Sequence, residues 1–241
     1  MRAVLCGANG AMGKLIDGIL ADEVVGRVSI DGENGVSKTF AELGTVEADV
    51  VIDFSHHTAA ADVLSYAEKI GAAVVIGTTG HTAEEKALIF EAAQRIPVFY
   101  SGNISLGIAL LCSMTRQVVE RFPEADVEIV EIHHNRKVDA PSGTAKMLFE
   151  AVKSVRPNAY EHDGRSGECK RTKDEVGLSS LRMGNVVGVH EVHVCSPSQS
   201  ITLRHEVSTR NMLAEGGVEA ARFMVGKSKG MYNMENLLSG R

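Results

Sequence analysis

The sequence predicts an α/β fold in which a doubly wound parallel sheet is joined to a central α+β domain with an open mixed sheet. Three observations support this prediction. Short apolar runs alternate with helix-period stretches over the first hundred residues, a glycine-rich turn follows the first run, and the alternation stops after Ser105. Because the apolar runs are continuous, they indicate strands that are covered on both faces, as in parallel sheets.

The strands of the parallel sheet are predicted at five apolar runs, Ala3–Cys6, Val28–Ile30, Val50–Phe54, Ala73–Gly77 and Val98–Tyr100. Over Met12–Leu20, apolar side chains recur at the spacing of one helix face. Thr58 is expected to cap a helix that ends at Gly71, since a hydroxyl accepts from free N–H groups and glycine tolerates a left-handed ending. Thr82 and Glu85 have the spacing of a capping box at the start of another helix.

The central segment contains a helix followed by several strands, which indicates an α+β domain. Helices are predicted from about Gly107 to Arg121 and from near Ser142, with strands at Asp126–Ile132, Val186–Val194 and Ser200–Val207. The polar stretch Glu161–Glu175 is predicted to be a loop. An amphipathic helix from Gly217 to about Lys227 is expected near the end of the chain.

Composition excludes several classes of function. The 241 residues carry a net charge of −6, whereas a nucleic-acid-binding protein normally presents a basic patch. The sequence contains no apolar run of the roughly 18 residues that a membrane span needs, and its first residues lack the pattern of a signal peptide. The four cysteines are widely separated, so they are expected to be reduced bystanders. These features predict a cytoplasmic protein that binds neither nucleic acid nor membrane.

The first motif is GANGAMG, Gly7–Gly13, between the first predicted strand and the first predicted helix. Glycines allow a tight turn in which backbone N–H groups approach a pyrophosphate, and the helix start adds partial positive charge. The spacing is GxxGxxG rather than the commoner GxGxxG, so the strand and helix on either side carry much of the interpretation. An ordinary glycine turn is the alternative.

Asp31 is expected to close the second strand, about 20 residues beyond the glycines, where a carboxylate can accept hydrogen bonds from the adenosine ribose. A carboxylate there favours NADH, because it repels the 2′-phosphate of NADPH. Arg27, Lys38 and the pair His56–His57 could instead accommodate that phosphate, and Asp31 could be a simple turn residue before Gly32. The cofactor is therefore left as NADH or NADPH.

Two further loops follow predicted strands of the same sheet. Gly77–Gly80 has the sequence GTTG, and the segment Ser101–Ile104 has the sequence SGNI. Ligands of open α/β sheets bind at the carboxyl ends of the strands, so the two loops are expected to form one polar rim. Each loop taken alone could be only a strand-to-helix connection.

The segment Glu131–Ala145, EIHHNRKVDAPSGTA, concentrates chemistry-bearing residues. Ser142 after Pro141 is a suitable helix cap, and the N–H groups of Gly143 and Thr144 at the positive helix end suit a carboxylate. Two histidines and Lys137 add cationic donors and possible acids, which together indicate a site for a dianionic small molecule. Paired histidines are often only structural. A metal site is disfavoured, because adjacent histidines on a strand point to opposite faces.

These residues resemble a known family. The complete pattern HHxxKxDAPSGTA within Glu131–Ala145 is similar to the signature of the dihydrodipicolinate reductases. GANGAMG, GTTG, the loop SGNIS and the stretch RMGNVVGVHEV, Arg182–Val192, are similar to family elements in the same order. The resemblance spans the whole chain. It implies NAD(P)H-dependent reduction of 4-hydroxy-tetrahydrodipicolinate in lysine and diaminopimelate biosynthesis.

The resemblance also implies roles and domains. A Rossmann-like dinucleotide domain would comprise residues 1–104 and 214–241, and residues 105–213 would bind substrate and assemble a homotetramer. His133 looks like the proton donor and acceptor and Lys137 like a second proton donor, with Ser142, Gly143, Thr144 and His134 binding substrate. Nucleotide contacts are implied for Gly7, Ala8, Asn9, Gly10, Ala11, Met12, Asp31, Gly77, Thr78, Thr79, Ser101, Gly102, Asn103 and Ile104.

The sequence departs from the family pattern in a few places. Ile104 stands where relatives usually carry Phe, which removes an aromatic surface beside the nicotinamide. Asp31-Gly32 lacks the Glu-Arg pair of some relatives, and His56 replaces an arginine found in some members. Two other functions stay open: an amino-acid dehydrogenase of the same architecture and a non-catalytic dinucleotide sensor.

Overall fold

A computed structural model describes residues 1–209 and 211–240; Arg210 and Arg241, which the predicted domain ranges include, lie outside the described residues. The chain divides into two compact units. The first unit combines Met1–Leu106 with Asn211–Arg241, and the second unit is Gly107–Arg210. The first unit is therefore built from both ends of the chain.

The strands in chain order are β1 Ala3–Cys6, β2 Val24–Val28, β3 Val50–Asp53, β4 Ala73–Ile76, β5 Pro97–Tyr100, β6 Asp126–His133, β7 Tyr160–Asp163, β8 Glu175–Arg182, β9 Gly188–Cys195, β10 Ser200–Val207 and β11 Gly230–Tyr232. The helices are α1 Ala11–Leu20, α2 Phe40–Leu43, α3 Ala60–Ile70, α4 Ala83–Ala92, α5 Leu106–Arg121, α6 Gly143–Val155, α7 Asn211–Met224 and α8 Met234–Ser239. Strands and helices alternate through the first unit, as the sequence predicts.

The first unit contains a six-stranded sheet in the order β11-β5-β4-β3-β1-β2. Each neighbouring pair in it is parallel. The residues of β1, β3 and β4 are all buried, which is why their sequences are continuous apolar runs. The predicted doubly wound parallel sheet is confirmed. No helix within the described ranges has both the length and the apolar character needed to cross a bilayer.

The second unit contains a five-stranded sheet in the order β10-β9-β6-β8-β7. β6 pairs antiparallel with β9 and parallel with β8, so the sheet is mixed, as predicted. Val127 and Ile129 on β6 and Val192 on β9 are buried together with Leu148 and Val152 of α6. This packing fixes the start of α6 relative to the end of β6, and both carry residues of the predicted substrate site.

Helix boundaries in the first unit mostly follow the predicted signals. Thr82 and Glu85 form the complete capping box of α4, and Gly71 ends α3 in the left-handed conformation, with φ 69°. Thr58 was expected to cap α3, and this expectation is wrong. The chain makes a short 3₁₀ turn at His57–Ala59, and the side chain of His56 accepts a hydrogen bond from the Thr58 N–H.

Two predicted segments of the first unit lie elsewhere. The strand predicted at Val28–Ile30 is β2, which ends at Val28, and Ile30 is 92% exposed. β2 is an edge strand with a half-buried Arg27, so its sequence lacks the continuous apolar run of the inner strands. Asp31 therefore follows the strand by three residues and does not close it.

The helix predicted from Gly217 to about Lys227 is α7, which runs from Asn211 to Met224. Gly216 and Gly217 lie inside this helix, where it packs closely against Ile104 and Phe54. A Cβ atom on Gly216 would lie 1.9 Å from the carbonyl oxygen of Ile104. The glycine pair therefore permits close packing and does not mark a helix boundary.

The polar stretch Glu161–Glu175, predicted as a loop, includes most of β7 and the first residue of β8. Its polarity is compatible with strands because Glu175, which is 2% exposed, forms ion pairs with Arg165 and Arg171. Burying a charge is tolerated when it is paired in this way. β8 as a whole, β11 and α8 were not predicted from the sequence.

Candidate active site

The carboxyl ends of β1, β3, β4 and β5 lie at one edge of the parallel sheet, because these strands run in the same direction. The predicted glycine turn follows β1, the GTTG loop follows β4 and the SGNI loop follows β5. The three motifs are therefore brought to the same edge. Open α/β sheets bind their ligands at this edge.

The glycine turn is built for close approach of backbone to backbone. Gly7 has φ +83°, and a Cβ atom on it would lie 2.4 Å from the carbonyl oxygen of Phe54. A Cβ atom on Gly13, inside α1, would lie 2.1 Å from the carbonyl oxygen of Gly7. Gly10 is the N-cap residue of α1 and has no side chain to cover the helix start. The first turn of α1 is thus a backbone surface of the kind that receives a phosphate.

Asp31 is held beside this turn by Asn9. The Asn9 side-chain amide donates to Asp31 Oδ1 at 2.5 Å and to the carbonyl oxygen of Glu33 at 3.3 Å. The hydrogen bond from Asn9 lowers the pKa of Asp31, with a smaller contribution from the Glu33 N–H. The carboxylate is therefore ionised at neutral pH and lies next to Asn9, one residue of the predicted nucleotide site.

A cavity of about 760 Å³ opens beside the glycine turn and is lined by Gly7, Gly10, Ser29, Lys38, His56 and Thr58, among others. Its wall therefore contains the cationic residue Lys38, whose aliphatic chain lies against Gly32. Of the other basic residues considered from the sequence, His56 also lines the cavity, whereas Arg27 and His57 are paired with acidic residues. Arg27 pairs with Asp17 at 2.7 Å, and His57 contacts Glu85 at 2.9 Å.

The GTTG loop is tied to the end of β3. Thr78 is buried, and its hydroxyl accepts a hydrogen bond from the Ser55 N–H at 2.9 Å. Gly77 lies over the ring of Phe54, where a Cβ atom would come within 2.3 Å of Cζ. Thr79, in contrast, is exposed. Phe54 and Ser55 were not assigned roles from the sequence, although Phe54 is the last residue of the predicted strand VVIDF and Ser55 follows it.

The SGNI loop is stabilised by its own polar groups. The Ser101 hydroxyl donates to the Asn103 carbonyl oxygen at 2.7 Å, and the Asn103 side chain accepts from the Ser105 N–H at 2.9 Å. Gly102 is exposed, whereas Ile104 is only 4% exposed. Any contact of Ile104 with a cofactor would therefore involve mainly its backbone.

In the second unit, the register of the mixed sheet assembles a polar cluster around the end of β6. His133 pairs with Arg182 across β6 and β8, and Glu131 pairs with His190 across β6 and β9. The Nδ1 atom of His133 contacts Glu131 Oε2, and the ring of His190 lies 5.1 Å from that of His133, measured between centroids. A predicted acid is thus surrounded by a buried carboxylate, an arginine and a second histidine.

Glu131 is 1% exposed but stays ionised. Arg182 contacts both of its oxygens, with Nη1 3.0 Å from Oε2 and Nη2 2.9 Å from Oε1. Burial opposes ionisation, but the hydrogen bonds from Arg182, Ser180 and His133 together hold the pKa of Glu131 below its ordinary value. The carboxylate is therefore a permanent acceptor facing His133.

Lys137 lies in the loop after β6, and its backbone N–H donates to the His134 carbonyl oxygen at 3.1 Å. Its ammonium group contacts both oxygens of Asp139, at 2.8 and 2.9 Å. Asp139 is largely exposed, and the ion pair with Lys137 lowers its pKa. Because the Asp139 side chain is solvent-exposed, this ion pair contributes little to stability, and a bound carboxylate can compete with Asp139 for Lys137.

The start of α6 is organised as predicted. Ser142 is its N-cap residue, and its hydroxyl accepts from the Ala145 N–H at 3.2 Å while its own N–H donates to Glu131 Oε1 at 3.2 Å. Ser142 is 2% exposed, so its polar groups serve the protein interior. Gly143 is exposed and Thr144 is half-buried, and both lie in the first turn at the positive end of the helix dipole.

His190 completes the cluster as a neutral group. Burial, and next the proximity of His133, lower the pKa of His190 to about 4. Its Nε2 atom lies 3.3 Å from the Ser142 hydroxyl. Sequence reasoning did not identify Glu131, Arg182 or His190 as site residues. The available signal was RMGNVVGVHEV, which contains two of the three and resembles a family element.

We expect His190 to make stability depend on pH. An unfolded histidine takes up its proton near pH 6.5, whereas His190 in the folded protein does so near 4, so the unfolded state binds more protons between these values. Stability is therefore lost as pH falls through this window, by up to about 3 kcal/mol. Urea unfolding should show that the free energy of unfolding falls less between pH 7 and pH 4.5 for His190→Gln than for the unsubstituted protein. Equal losses would contradict the burial of a neutral imidazole.

A doubly wound sheet with a glycine-lined helix start, and a second unit that gathers acids and cations around another helix start, define a two-unit dinucleotide-dependent oxidoreductase. Residues 1–104 match the description "Dihydrodipicolinate reductase, N-terminus", and residues 107–238 match "Dihydrodipicolinate reductase, C-terminus". The chain belongs to the dihydrodipicolinate reductase family, which uses a nicotinamide cofactor.

Full-length relatives agree with this assignment. The chain is 39% identical over 240 residues to the 4-hydroxy-tetrahydrodipicolinate reductase of Alkaliphilus metalliredigens, with 99% of each chain covered. It is 43% identical over 201 residues to the protein of the same name from an Anaeromyxobacter species, with 80% of this chain and 74% of the relative covered.

Solved structures share the fold. A dipicolinate-bound dihydrodipicolinate reductase from Paenisporosarcina sp. TG-14 matches with a TM-score of 0.77 at 22% identity, with 98% of both chains covered. An amine dehydrogenase from Mycobacterium smegmatis matches with a TM-score of 0.59 at 14% identity, covering 98% of this chain and 95% of the other. The fold is therefore shared by enzymes that are named for different reactions.

Proposed function

We propose that this protein is a 4-hydroxy-tetrahydrodipicolinate reductase, which reduces a cyclic dicarboxylate to tetrahydrodipicolinate in lysine and diaminopimelate biosynthesis. The observation that carries the proposal is the cluster at the end of β6, where a histidine, a lysine and a helix start lie in one unit. Full-length relatives of the same name support it. We further propose that residues 1–104 and 214–241 bind the dinucleotide and that residues 105–213 bind substrate.

The first unit fits a dinucleotide. The absence of a side chain at Gly7 lets the glycine turn pack directly against the backbone of Phe54, and the first turn of α1 presents N–H groups to a pyrophosphate. Ala8, Ala11 and Met12 belong to the same turn, and the loops Gly77–Thr79 and Ser101–Ile104 contact the nicotinamide half. The bound cofactor supplies a hydride from C4 of its nicotinamide.

The second unit binds the two substrate carboxylates. One carboxylate accepts from the backbone of Gly143 and Thr144 at the start of α6, where the helix dipole stabilises negative charge. The other binds at His134 and Lys137 and displaces Asp139 from the lysine. The dipicolinate bound to the Paenisporosarcina reductase is itself a planar ring with two carboxylates, which agrees with this arrangement.

A proton must accompany the hydride. Hydride addition to the electron-poor carbon of the conjugated cyclic imine leaves a negative charge, which a proton from His133 or Lys137 neutralises. Glu131 holds His133 by Nδ1, so Nε2 is the atom of this ring that delivers the proton. Water leaves the hydroxylated substrate before or with this reduction.

The enzyme should accept both NADH and NADPH, because a different residue favours each of them. The Asp31 carboxylate suits the ribose hydroxyls of NADH, while Lys38 in the cavity wall can pair with the 2′-phosphate of NADPH. Asp31→Ser should therefore raise KM for NADH and lower it for NADPH, changing the ratio of kcat/KM values by at least about tenfold. Lys38→Ala should weaken NADPH alone. Steady-state kinetics with each cofactor measures this, and equal effects of Lys38→Ala on both cofactors would contradict it.

The experiment that tests the function is a coupled assay with freshly generated substrate, in which oxidation of NADH and of NADPH is followed separately. Rapid oxidation that depends on the substrate is the expected result. Oxidation of the reduced cofactor only with a keto acid and ammonia would indicate an amino-acid dehydrogenase, and nucleotide binding without turnover would indicate a sensor. The cytoplasmic location and the homotetramer stay predictions, which fractionation and light scattering can test.

A further inference from the structure

We infer that Glu131 is a positioning residue, which holds the ring of His133 with a proton on Nδ1 so that Nε2 is the atom that exchanges a proton with the substrate. This inference rests on the proposed function, since it concerns the same acid. It assigns a role to a residue that does not itself touch the substrate.

The carboxylate of Glu131 is held in a fixed orientation. Glu131 is buried, and both of its oxygens are occupied: Oε2 contacts His133 Nδ1 and Arg182, and Oε1 contacts Arg182 and the Ser142 N–H. A carboxylate held at both oxygens by an arginine cannot rotate without losing charge-assisted hydrogen bonds. The position of Oε2 relative to His133 is therefore set by the sheet.

The contact with Glu131 determines the tautomer of His133. An ionised carboxylate only accepts hydrogen bonds, so the Nδ1 atom facing it must carry the hydrogen. The neutral ring then has its lone pair on Nε2. Nε2 lies on the side of Gly188, where a Cβ atom would come within 3.3 Å. A glycine there keeps the proton-exchanging atom uncrowded.

Four charged or titratable side chains lie around the ring of His133. The protonated ring of His133 is faced by Glu131 on its own strand, by Arg182 on β8 and by His190 on β9, with Lys137 in the following loop. Glu131 is the anion in contact with the ring, and it accepts from Nδ1–H whether or not Nε2 carries a proton. After donation, the Nδ1–H hydrogen bond remains and returns the ring to the same orientation.

The same carboxylate also organises the carboxylate-binding end of the site. It accepts from the Ser142 N–H, and its partner Arg182 donates to the Asp139 carbonyl oxygen at 2.7 Å. Glu131 thus links the acid on β6 to the start of α6 and to the turn that follows Lys137. Side chains that are supported in this way keep a productive geometry through each catalytic cycle.

The test compares Glu131→Gln with Glu175→Gln, a matched control that alters another buried, arginine-paired glutamate of the same unit. In Glu131→Gln, kcat should fall by at least about tenfold with KM within about threefold. Glu175→Gln should leave kcat and KM unchanged.

A spectroscopic measurement makes the inference independent of turnover. In the unsubstituted, ¹⁵N-histidine-labelled protein, the neutral His133 ring, identified by comparison with His133→Gln, should be the Nδ1–H tautomer. In Glu131→Gln, the Nε2–H tautomer should also be populated, because a glutamine amide can donate to Nδ1 as well as accept from it. An Nε2–H tautomer in the unsubstituted protein, or an unchanged tautomer in the variant, would overturn the inference even if the substrate assay succeeds. Failure of that assay with the expected tautomer would instead count against the proposed function.

Discussion

Replacement of His133 by Gln should lower kcat by at least about a hundredfold while KM changes by less than about threefold. Glutamine keeps a polar group near Glu131 but has no proton that it can transfer at neutral pH. The loss should therefore appear in the chemical step and not in substrate binding. Steady-state kinetics with saturating NADH measures it directly.

His193→Gln provides the matched control, because His193 lies on β9 of the same sheet. Its ring forms hydrogen bonds with Thr202 and Glu191, neither of which belongs to the proposed site. Its kinetics should be unaltered. A His133→Gln variant with unchanged kcat would move the role of acid to Lys137, whose replacement by Ala should then cause the large loss.

The second large effect is expected in the nucleotide unit. Gly13→Ala places a methyl group 2.1 Å from the carbonyl oxygen of Gly7, a distance that only displacement of α1 can relieve. The displacement should destabilise the fold by about 1–3 kcal/mol and remove the phosphate-binding geometry at the helix start. Titration calorimetry should detect a loss of NADH binding of at least about tenfold.

Gly18→Ala makes the same substitution five residues later in the same helix, where a Cβ atom would meet nothing within 4 Å. It should stabilise the protein by about 0.5–1 kcal/mol and leave nucleotide binding unchanged. If both variants bound NADH equally well, close packing of α1 against the glycine turn would not be required for the site.

The sequence was most informative where local chemistry determines the structure. Thr82 and Glu85 specify the start of α4 because the capping box involves residues only three apart, and Gly71 specifies the end of α3 for a similar reason. Inner strands of the parallel sheet were found because burial on both faces requires a continuous apolar run. The edge strands β2 and β7 need no continuous apolar run. The boundaries predicted for β2 were therefore wrong, and β7 was predicted to be part of a loop.

The site was only half predictable for the same physical reason. His133, Lys137 and the start of α6 lie within one short segment, so their proximity follows from the sequence. Glu131 was visible in that segment, but its role depends on the register that places Arg182 and His190 beside it. Arg182 and His190 lie 51 and 59 residues after Glu131 in the sequence. No periodic signal connects residues so far apart, because sheet register is fixed by packing of the whole face.

The most direct test is a crystal structure of the protein with NADH and dipicolinate. One ring carboxylate should lie within about 3 Å of the backbone nitrogens of Gly143 and Thr144, the other should contact Lys137, and His133 Nε2 should face the ring. Dipicolinate bound away from the start of α6, with Lys137 still paired to Asp139, would contradict the account.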